Sequence, residues 1–599
     1  MSERHTGAFI YGDGSELHDQ CAVYPQAPPA NDCDSDHASD CRTLRENEEV
    51  SSTSSPGSSP YEVSKLEADL YYFGIRGPRF LGPKLIFRTS KDVFTPPVPE
   101  RNARRMQLIP VYEHNELGRD DLWATVRSKI VGLLDQRNIK HSSVDLVRFR
   151  WVEKNVDNED NGDNETNEAN EGNEGGEDES DDEDYEGDEE GEDESDDDGG
   201  DDTEVEDVDY EIPSVLSGPK LFAPVSDFDP LKAVIDPMTT ALSLPIAGLK
   251  TLDNEGTMGF YFRDGDALYG VTARHVLFSD DEGNDSYTYI GGPKKEVVLM
   301  GGRAFTDFLT STQHRIEVLN LVLTSLESQA RTTTRRLESS GPNAEQMAHG
   351  LAKTEAELSD VRVEIEEVSK FLMNIKKEWT KPKDRVIGHA VWAPSISVST
   401  PSEGYTKDIC VVKLDENKFS QNFRGNVLDL GPEKERAHFI GLMLMCPRID
   451  APPDFEYPAD RLLKLRGILS AQEMRTTTNK DCNGDPMRYV IKRGLSTLTT
   501  IGRLTGFESH VRRYQTFGSR DSVEVAVYPY DQHPGPFSRG GDSGSIIVDA
   551  RGKFVALLTS GTGSTESSDV TFGTPMHRLW EIIKAKYPGA SLYFEGDDE

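Results

Sequence analysis

At 599 residues the chain is too long for a single hydrophobic core. Hydrophobic residues make up only 35% of it and the formal net charge is -42, so part of the sequence has too little apolar surface to fold. Such a charge also disfavours direct binding to nucleic acid, whose phosphates would repel it.

The acidity is local. Between Asp157 and Glu211 lie 32 Asp or Glu residues and no Lys or Arg, which leaves -10 of the charge for everything else. The first residues, MSERHTGAFIYGDGSELH, contain no apolar run of seven or more, and no later run is long enough to span a bilayer, so neither a secretory signal nor membrane attachment is expected. The six cysteines are too sparse for a disulfide framework, and Cys410 sits in an apolar strand pattern as a buried free thiol would. A soluble intracellular protein, cytoplasmic or nuclear, is the expectation.

In chain order, residues 1–59 are rich in Ser, Asp, Pro and Gly and read as a disordered head. Residues 60–154 read as a small α/β module of unknown role. KLIFRTS, MQLIPVY and VDLVRFRWV have strand character, and Leu122, Val126, Ile130 and Leu133 recur at helical spacing behind the acidic pair Asp120–Asp121, which suits a helix N-terminus. Residues 155–212 form an acidic linker in which GEDESDD occurs twice, at Gly176–Asp182 and Gly191–Asp197. Self-repulsion keeps such a tract extended, as a spacer or as an arm for basic protein partners such as histones.

From 213 onward short apolar runs bounded by Gly, Pro, Asp or Asn predict an all-β domain, a sandwich or a pair of barrels. Its two parts are 213–306 and 381–599. Residues 307–380 interrupt them with two heptad series. Leu309, Ile316, Leu323, Ala330 and Leu337 form one; Leu351, Leu358, Ile365, Leu372 and Trp379 form the other, after the breaker SSGPN. An antiparallel coiled-coil hairpin with arms of about 45 Å fits this spacing, and so does self-association through an intermolecular coiled coil.

Three motifs carry chemistry. Gly540-Gly541-Asp542-Ser543-Gly544-Ser545 precedes the apolar strand Ile546-Ile547-Val548. Glycines around a serine permit a tight turn that exposes its hydroxyl, with the Gly541 and Ser543 N–H groups as oxyanion donors. Val271-Thr272-Ala273-Arg274-His275-Val276 puts a histidine at a strand end, where it can face a cleft. Lys407-Asp408-Ile409-Cys410-Val411-Val412 puts an aspartate at the head of an apolar strand, where it can accept from a histidine and fix its tautomer. Each motif alone also fits a plain turn, a surface histidine or a capping residue.

Together, in the order His275, Asp408, Ser543, they resemble the chymotrypsin-like serine proteases, which have TAxH, DIxxxKL and GDSGS at these sites. The resemblance covers about 215–306 and 385–590 and is nearest to intracellular fungal members. It implies a double-barrel trypsin-like fold, an acyl-enzyme endopeptidase without cofactor or metal, and a polypeptide substrate. It also implies that Thr559, Ser560 and Gly561 form a wall of the substrate pocket, with Phe537 and Ser538 at its base. Trypsins carry an acid six residues before the nucleophile; Phe537 stands there, so a small or apolar side chain is expected in the pocket. His533 lies nearby, as a pocket or a loop residue.

The chain also departs from the resemblance. Val276 replaces the cysteine that secreted members place after the histidine. Asp542 matches the aspartate that zymogens pair with a newly cut N-terminus, yet no activation site precedes the domain, so another partner is required. The alternative to an active peptidase is a pseudoprotease scaffold that binds partners through the hairpin and the acidic tract.

Overall fold

In the computed structural model the residues described are 5–11, 63–72, 84–85, 93–94, 96, 105–152, 219–338, 344–398, 404–419, 421–444, 455–477, 479–481, 484–515, 518–530, 535–563 and 569–594. The acidic tract, the hairpin tip, His533 and most of the head lie outside them. The chain is mostly antiparallel β-sheet with a few helices.

An eight-stranded sheet runs Thr251–Thr257, Pro245–Gly248, Glu296–Leu299, Val386–Ala393, Cys410–Leu414, Ala267–Thr272 and Phe260–Asp264, with Tyr287–Thr288 added beside Val386–Ala393. In the ten-stranded sheet six strands close on themselves. Arg488–Gly494 pairs with Leu498–Leu504 and with Ile546–Asp549; Phe554–Thr562 and Val570–Pro575 continue the ring. Gly518–Pro529 then pairs with both Leu498–Leu504 and Val570–Pro575. Closure removes the sheet edge. It also explains why Ile546–Asp549 and Val570–Pro575 are buried at every position instead of alternating. One face of the ring shares a core with the eight-stranded sheet, where Ile491, Ile546 and Leu557 meet Met258 and Phe260.

The outer face is covered by the N-terminal segment, in which Val111, Trp123, Val131, Leu134, Val144 and Leu146 cluster with Phe507. Ser143–Val152 pairs with Ser509–Gln515 in the same sheet. Met106, Leu108 and Val147 pack on Tyr528, Val570 and Phe572. His5–Tyr11, expected in the disordered head, is a strand paired with Ser143–Val152. The helix Leu122–Gln136 turns one residue away from the expected face. Trp123, Arg127, Val131 and Leu134 are buried, while Leu122 and Leu133 are exposed. Polar reach sets this rotation: Trp123 Nε1 and Arg127 Nη1 both donate to the Glu508 carbonyl at 2.7 Å. Nor does the acidic pair cap the helix. Asp121 makes no capping bond, and its carboxylate meets Arg475 at 2.8 Å.

Two helices, Gly302–Glu338 and Ala344–Glu378, lie side by side and are inserted in the chain between the paired strands Glu296–Leu299 and Val386–Ala393. Arg315 pairs with Glu364 at 2.5 Å and Arg362 with Glu327 at 2.9 Å, which orders the helices antiparallel. Their base is held firmly. Phe305, Val368, Phe371, Ile375 and Trp379 enter the domain core, and Glu255 accepts from the Ala304 N–H at 2.8 Å. Arg385, buried under this base, donates to the Leu299, Trp379 and Thr380 carbonyls and stacks 4.0 Å from the Phe305 ring. Because the burial is concentrated at the base, excising residues 323–360 and closing the gap with a short Gly-rich turn should leave the domain folded. The thermal midpoint is expected to fall by no more than ~5 °C; loss of cooperative unfolding would show that the distal arms support the core.

Candidate active site

Sheet register delivers two of the three residues. Cys410 lies opposite Thr272 in the pairing of Cys410–Leu414 with Ala267–Thr272, so continuing both chains puts Asp408 beside the turn Arg274–Leu277 that carries His275. Asn254 Nδ2 pins that turn by donating to the His275 and Val276 carbonyls at 3.2 and 3.0 Å. The His275 Nδ1 lies 2.7 Å from Asp408 Oδ2, and the His275 backbone N–H donates to Oδ1 at 3.2 Å. With a proton on Nδ1 for the carboxylate, Nε2 is left with its lone pair.

Asp408 is fully buried. Burial would raise its carboxyl, but the charge and hydrogen bonds of His275, with the more distant Arg513, outweigh that and bring it down to about 2 from 3.8. A depressed carboxyl stabilises the fold above its unfolded pKa, and this stability is lost as pH falls through the folded value. The pair therefore contributes roughly 2 kcal/mol above pH ~4, fading toward pH ~2. Urea unfolding of wild type and Asp408→Asn at pH 5 and at pH 2.5 should show the difference between them shrinking at the lower pH.

Ser543 comes from the loop ahead of Ile546–Asp549 and is held against the same strand ends. The Thr257 N–H donates to the Ser543 carbonyl at 2.9 Å and the Gly544 N–H to Leu558 at 2.8 Å. Gly544 has φ +88°, and a Cβ there would lie 2.3 Å from both the Thr257 oxygen and Thr272 Oγ1, so only glycine permits this approach. Gly541, at φ +97°, is fixed by Thr257 Oγ1, which donates to its carbonyl at 2.9 Å. Neither the Gly541 N–H nor the Ser543 N–H donates to a partner among the described residues. No hydrogen bond joins the Ser543 hydroxyl to His275 among the described residues; such contacts often tighten only when substrate is bound.

Asp542 has the partner that the sequence did not disclose. Lys492 Nζ lies 3.1 Å from its Oδ2, both side chains being fully buried. Thr497 Oγ1 donates to Oδ2 at 2.6 Å, as does the Arg539 N–H at 3.0 Å, while the Ser496 and Thr497 N–H groups reach Oδ1 at 2.8 and 3.2 Å. Burial pulls the Lys492 ammonium below the usual lysine range, and the Asp542 charge opposes this. The turn that carries Ser543 is thus braced by a charge from the ring itself.

A cavity of about 540 Å³ opens beside Ser543. Ser538, Ser560 and Gly561 are among its lining residues. Phe537 is not: its side chain is 1% exposed in the core of the ring, against Gly502 and Val527. Thr559 is also turned inward, and its carbonyl accepts from Arg513 at 3.0 Å. Asp569, which the sequence reading did not consider, lines the cavity. The signal was an acid directly ahead of the apolar strand Val570–Pro575. Lys492 was missed as well, its signal being a lone lysine inside the apolar run YVIKRG. Cys410 is a buried free thiol that burial pushes up to about 12, so it is no nucleophile. Among the described residues no cluster of His, Cys, Asp and Glu could hold a metal ion.

No family model matches the chain, and no curated protein matches it. Solved structures similar to it include a glutamic acid specific serine protease, 11% identical over 58% of this chain and 97% of that one, with a TM-score of 0.24. Thermobifida fusca Protease A is 11% identical over 57% and 95%, at 0.24. Alpha-lytic protease homolog N4 is 11% identical over 59% and 99%, at 0.26. Likeness at these scores is too slight to carry an inference about chemistry.

Proposed function

We propose that the chain is a serine endopeptidase of trypsin-like double-barrel fold, acting through Ser543, His275 and Asp408. The observation that carries this reading is the 2.7 Å contact of His275 Nδ1 with fully buried Asp408, the histidine following the strand end at Thr272 against which the Ser543 turn lies. The Ser543 Oγ forms a bond to the peptide carbonyl carbon while His275 Nε2 takes its proton. Asp408 holds the imidazole orientation and stabilises the imidazolium. The Gly541 and Ser543 N–H groups receive the oxyanion. Collapse of the tetrahedral adduct breaks the C–N bond, with the proton passing from His275 to the leaving amine. Water then enters by the same path and releases the acyl group from Ser543.

Lys492 supports this reading as the counter-charge of Asp542, since it provides the brace without a newly cut N-terminus. The test is labelling of the full chain by a fluorophosphonate, which reacts with an activated serine. Wild type should be labelled at Ser543 and Ser543→Ala should not; equal labelling of the two would end the proposal.

The reading extends to an intracellular site of action. Val276 stands beside the histidine and Cys410 is a free buried thiol. Among the described residues no helix is long and apolar enough to cross a membrane. Recovery of the protein only from the culture medium would contradict it. One observation favours a scaffold role as a second reading. A groove of about 1090 Å³ runs from Gly540 and Gly541 to Arg303, Asp307 and Arg315 on the first hairpin helix. If partners captured by the full chain are retained after Arg303→Glu with Arg315→Glu, this second reading fails.

A further inference from the structure

We propose that the cavity beside Ser543 takes a lysine or arginine side chain of the polypeptide, with the Asp569 carboxylate recognising its charge. This rests on the peptidase reading and names the substrate class for that same site. It replaces the expectation of a small or apolar side chain, which assumed that Phe537 decides the pocket.

Three observations carry it. First, Asp569 is only 8% exposed yet lines the cavity that Ser543 also lines, so its carboxylate belongs to the space where a side chain next to the scissile bond would go. Its described partners are neutral: the Phe537 N–H donates to Oδ2 at 3.1 Å, and the Ser538 N–H donates to it as well. Among the described residues no cation forms an ion pair with it. Lys492, the nearest buried cation, is committed to Asp542, Thr497 and the Leu498 carbonyl. A buried carboxylate without a counter-ion is unfavourable, and a cation from the substrate would supply one.

Second, the lining is mixed, with Pro536 and Leu558 beside polar groups that a cation can meet. The Ser560 hydroxyl is buried and has no hydrogen-bond partner among the described residues, and the Ser538 hydroxyl lies 2.6 Å from Thr571 Oγ1. An apolar guest would leave the Ser560 hydroxyl unsatisfied, whereas an ammonium or guanidinium brings only donors, which acceptor oxygens can meet. Third, a volume of about 540 Å³ is ample for a long side chain, more than an alanine or valine would fill.

The electrostatics agree. Burial pushes the Asp569 carboxyl up to about 7 from 3.8, while the two N–H donors and the charges of Lys492 and Arg539 hold it below what burial alone would give. A cation entering the cavity favours the ionised form further, so binding near neutral pH should release a proton. Arg539, an exposed residue, also lines the cavity, so the Asp569 carboxylate has to outweigh its repulsion of a cationic guest.

The test separates recognition from catalysis. Benzamidine, a small amidinium, is titrated calorimetrically into full-length Ser543→Ala protein, with and without Asp569→Asn. Asparagine keeps an acceptor for the Phe537 N–H but removes the charge. Binding that weakens about 100-fold on Asp569→Asn, with an unchanged thermal midpoint, supports the assignment. In parallel, kcat/KM of the wild type is compared on peptide amides differing only in Arg, Lys, Glu or Ala before the cut. Preference for Arg and Lys that collapses in Asp569→Asn supports it too. Benzamidine binding unaffected by Asp569→Asn, or preferred cleavage after Glu or Ala, overturns it while leaving the peptidase reading intact. Failure of fluorophosphonate labelling with benzamidine still bound through Asp569 would instead remove the peptidase reading and leave the cation site standing.

Discussion

Replacing Lys492 by methionine is expected to lower the free energy of unfolding by about 3–5 kcal/mol and to abolish labelling of Ser543. The ammonium and the Asp542 carboxylate are both fully buried 3.1 Å apart, so removing one leaves the other as an uncompensated charge. The loss should fall on function first. Asp542 gathers the N–H groups of Ser496, Thr497 and Arg539. Those contacts place Gly541 and Ser543, and a carboxylate that moves toward water would take them along. A second substitution identifies the cause. Lys492→Met with Asp542→Asn should recover much of the stability, because the stranded charge is gone. Chemical denaturation of the three proteins measures this; a cost below ~1 kcal/mol for Lys492→Met would mean that Asp542 is neutralised by some other group.

Asp408→Asn is expected to reduce turnover about 10⁴-fold with the fold intact. An asparagine can present an amide N–H to Nδ1, which moves the imidazole proton to Nε2 and removes the base that Ser543 needs. It also removes the charge that steadies the imidazolium. The rate of fluorophosphonate labelling measures the same defect without knowledge of a substrate. A fall of less than tenfold would show that Asp408 only supports the fold.

The parts of the site legible in the sequence are those whose chemistry is written within a few residues. The turn at Gly541-Asp542-Ser543-Gly544 needs its glycines because of backbone approach, and the structure has positive φ at both Gly541 and Gly544. His275 and Asp408 were each marked by an apolar strand next to a polar residue, and strand register alone brings them together. What stayed hidden depends on distant partners. Lys492 lies 50 residues from Asp542, and only closure of the ring makes a lysine in an apolar strand legible as a counter-ion. Asp569 enters the cavity from the strand across from the one that precedes Ser543, a relation that spacing from the nucleophile cannot give.

The fold shows the same division. Short strands and turn residues revealed an all-β domain, but not that residues 105–152 would complete its sheet. That segment has strand and helix signals of its own and gathers one cluster around Trp123 and Leu134, while its other apolar face is shared with Tyr528, Val570 and Phe572. The helix Leu122–Gln136 was found from its leucine spacing, yet its buried face is shifted by one residue because Trp123 and Arg127 seek the Glu508 carbonyl. Apolar periodicity does not register a hydrogen bond to another part of the chain.

The most direct test of the central claim is digestion of a defined peptide library by the full-length wild type and by Ser543→Ala, followed by sequencing of the new termini. Catalysis by Ser543 predicts a set of cut sites in the wild-type digest that is absent from the Ser543→Ala digest. An identical set of cuts in both, or none in either, would contradict it.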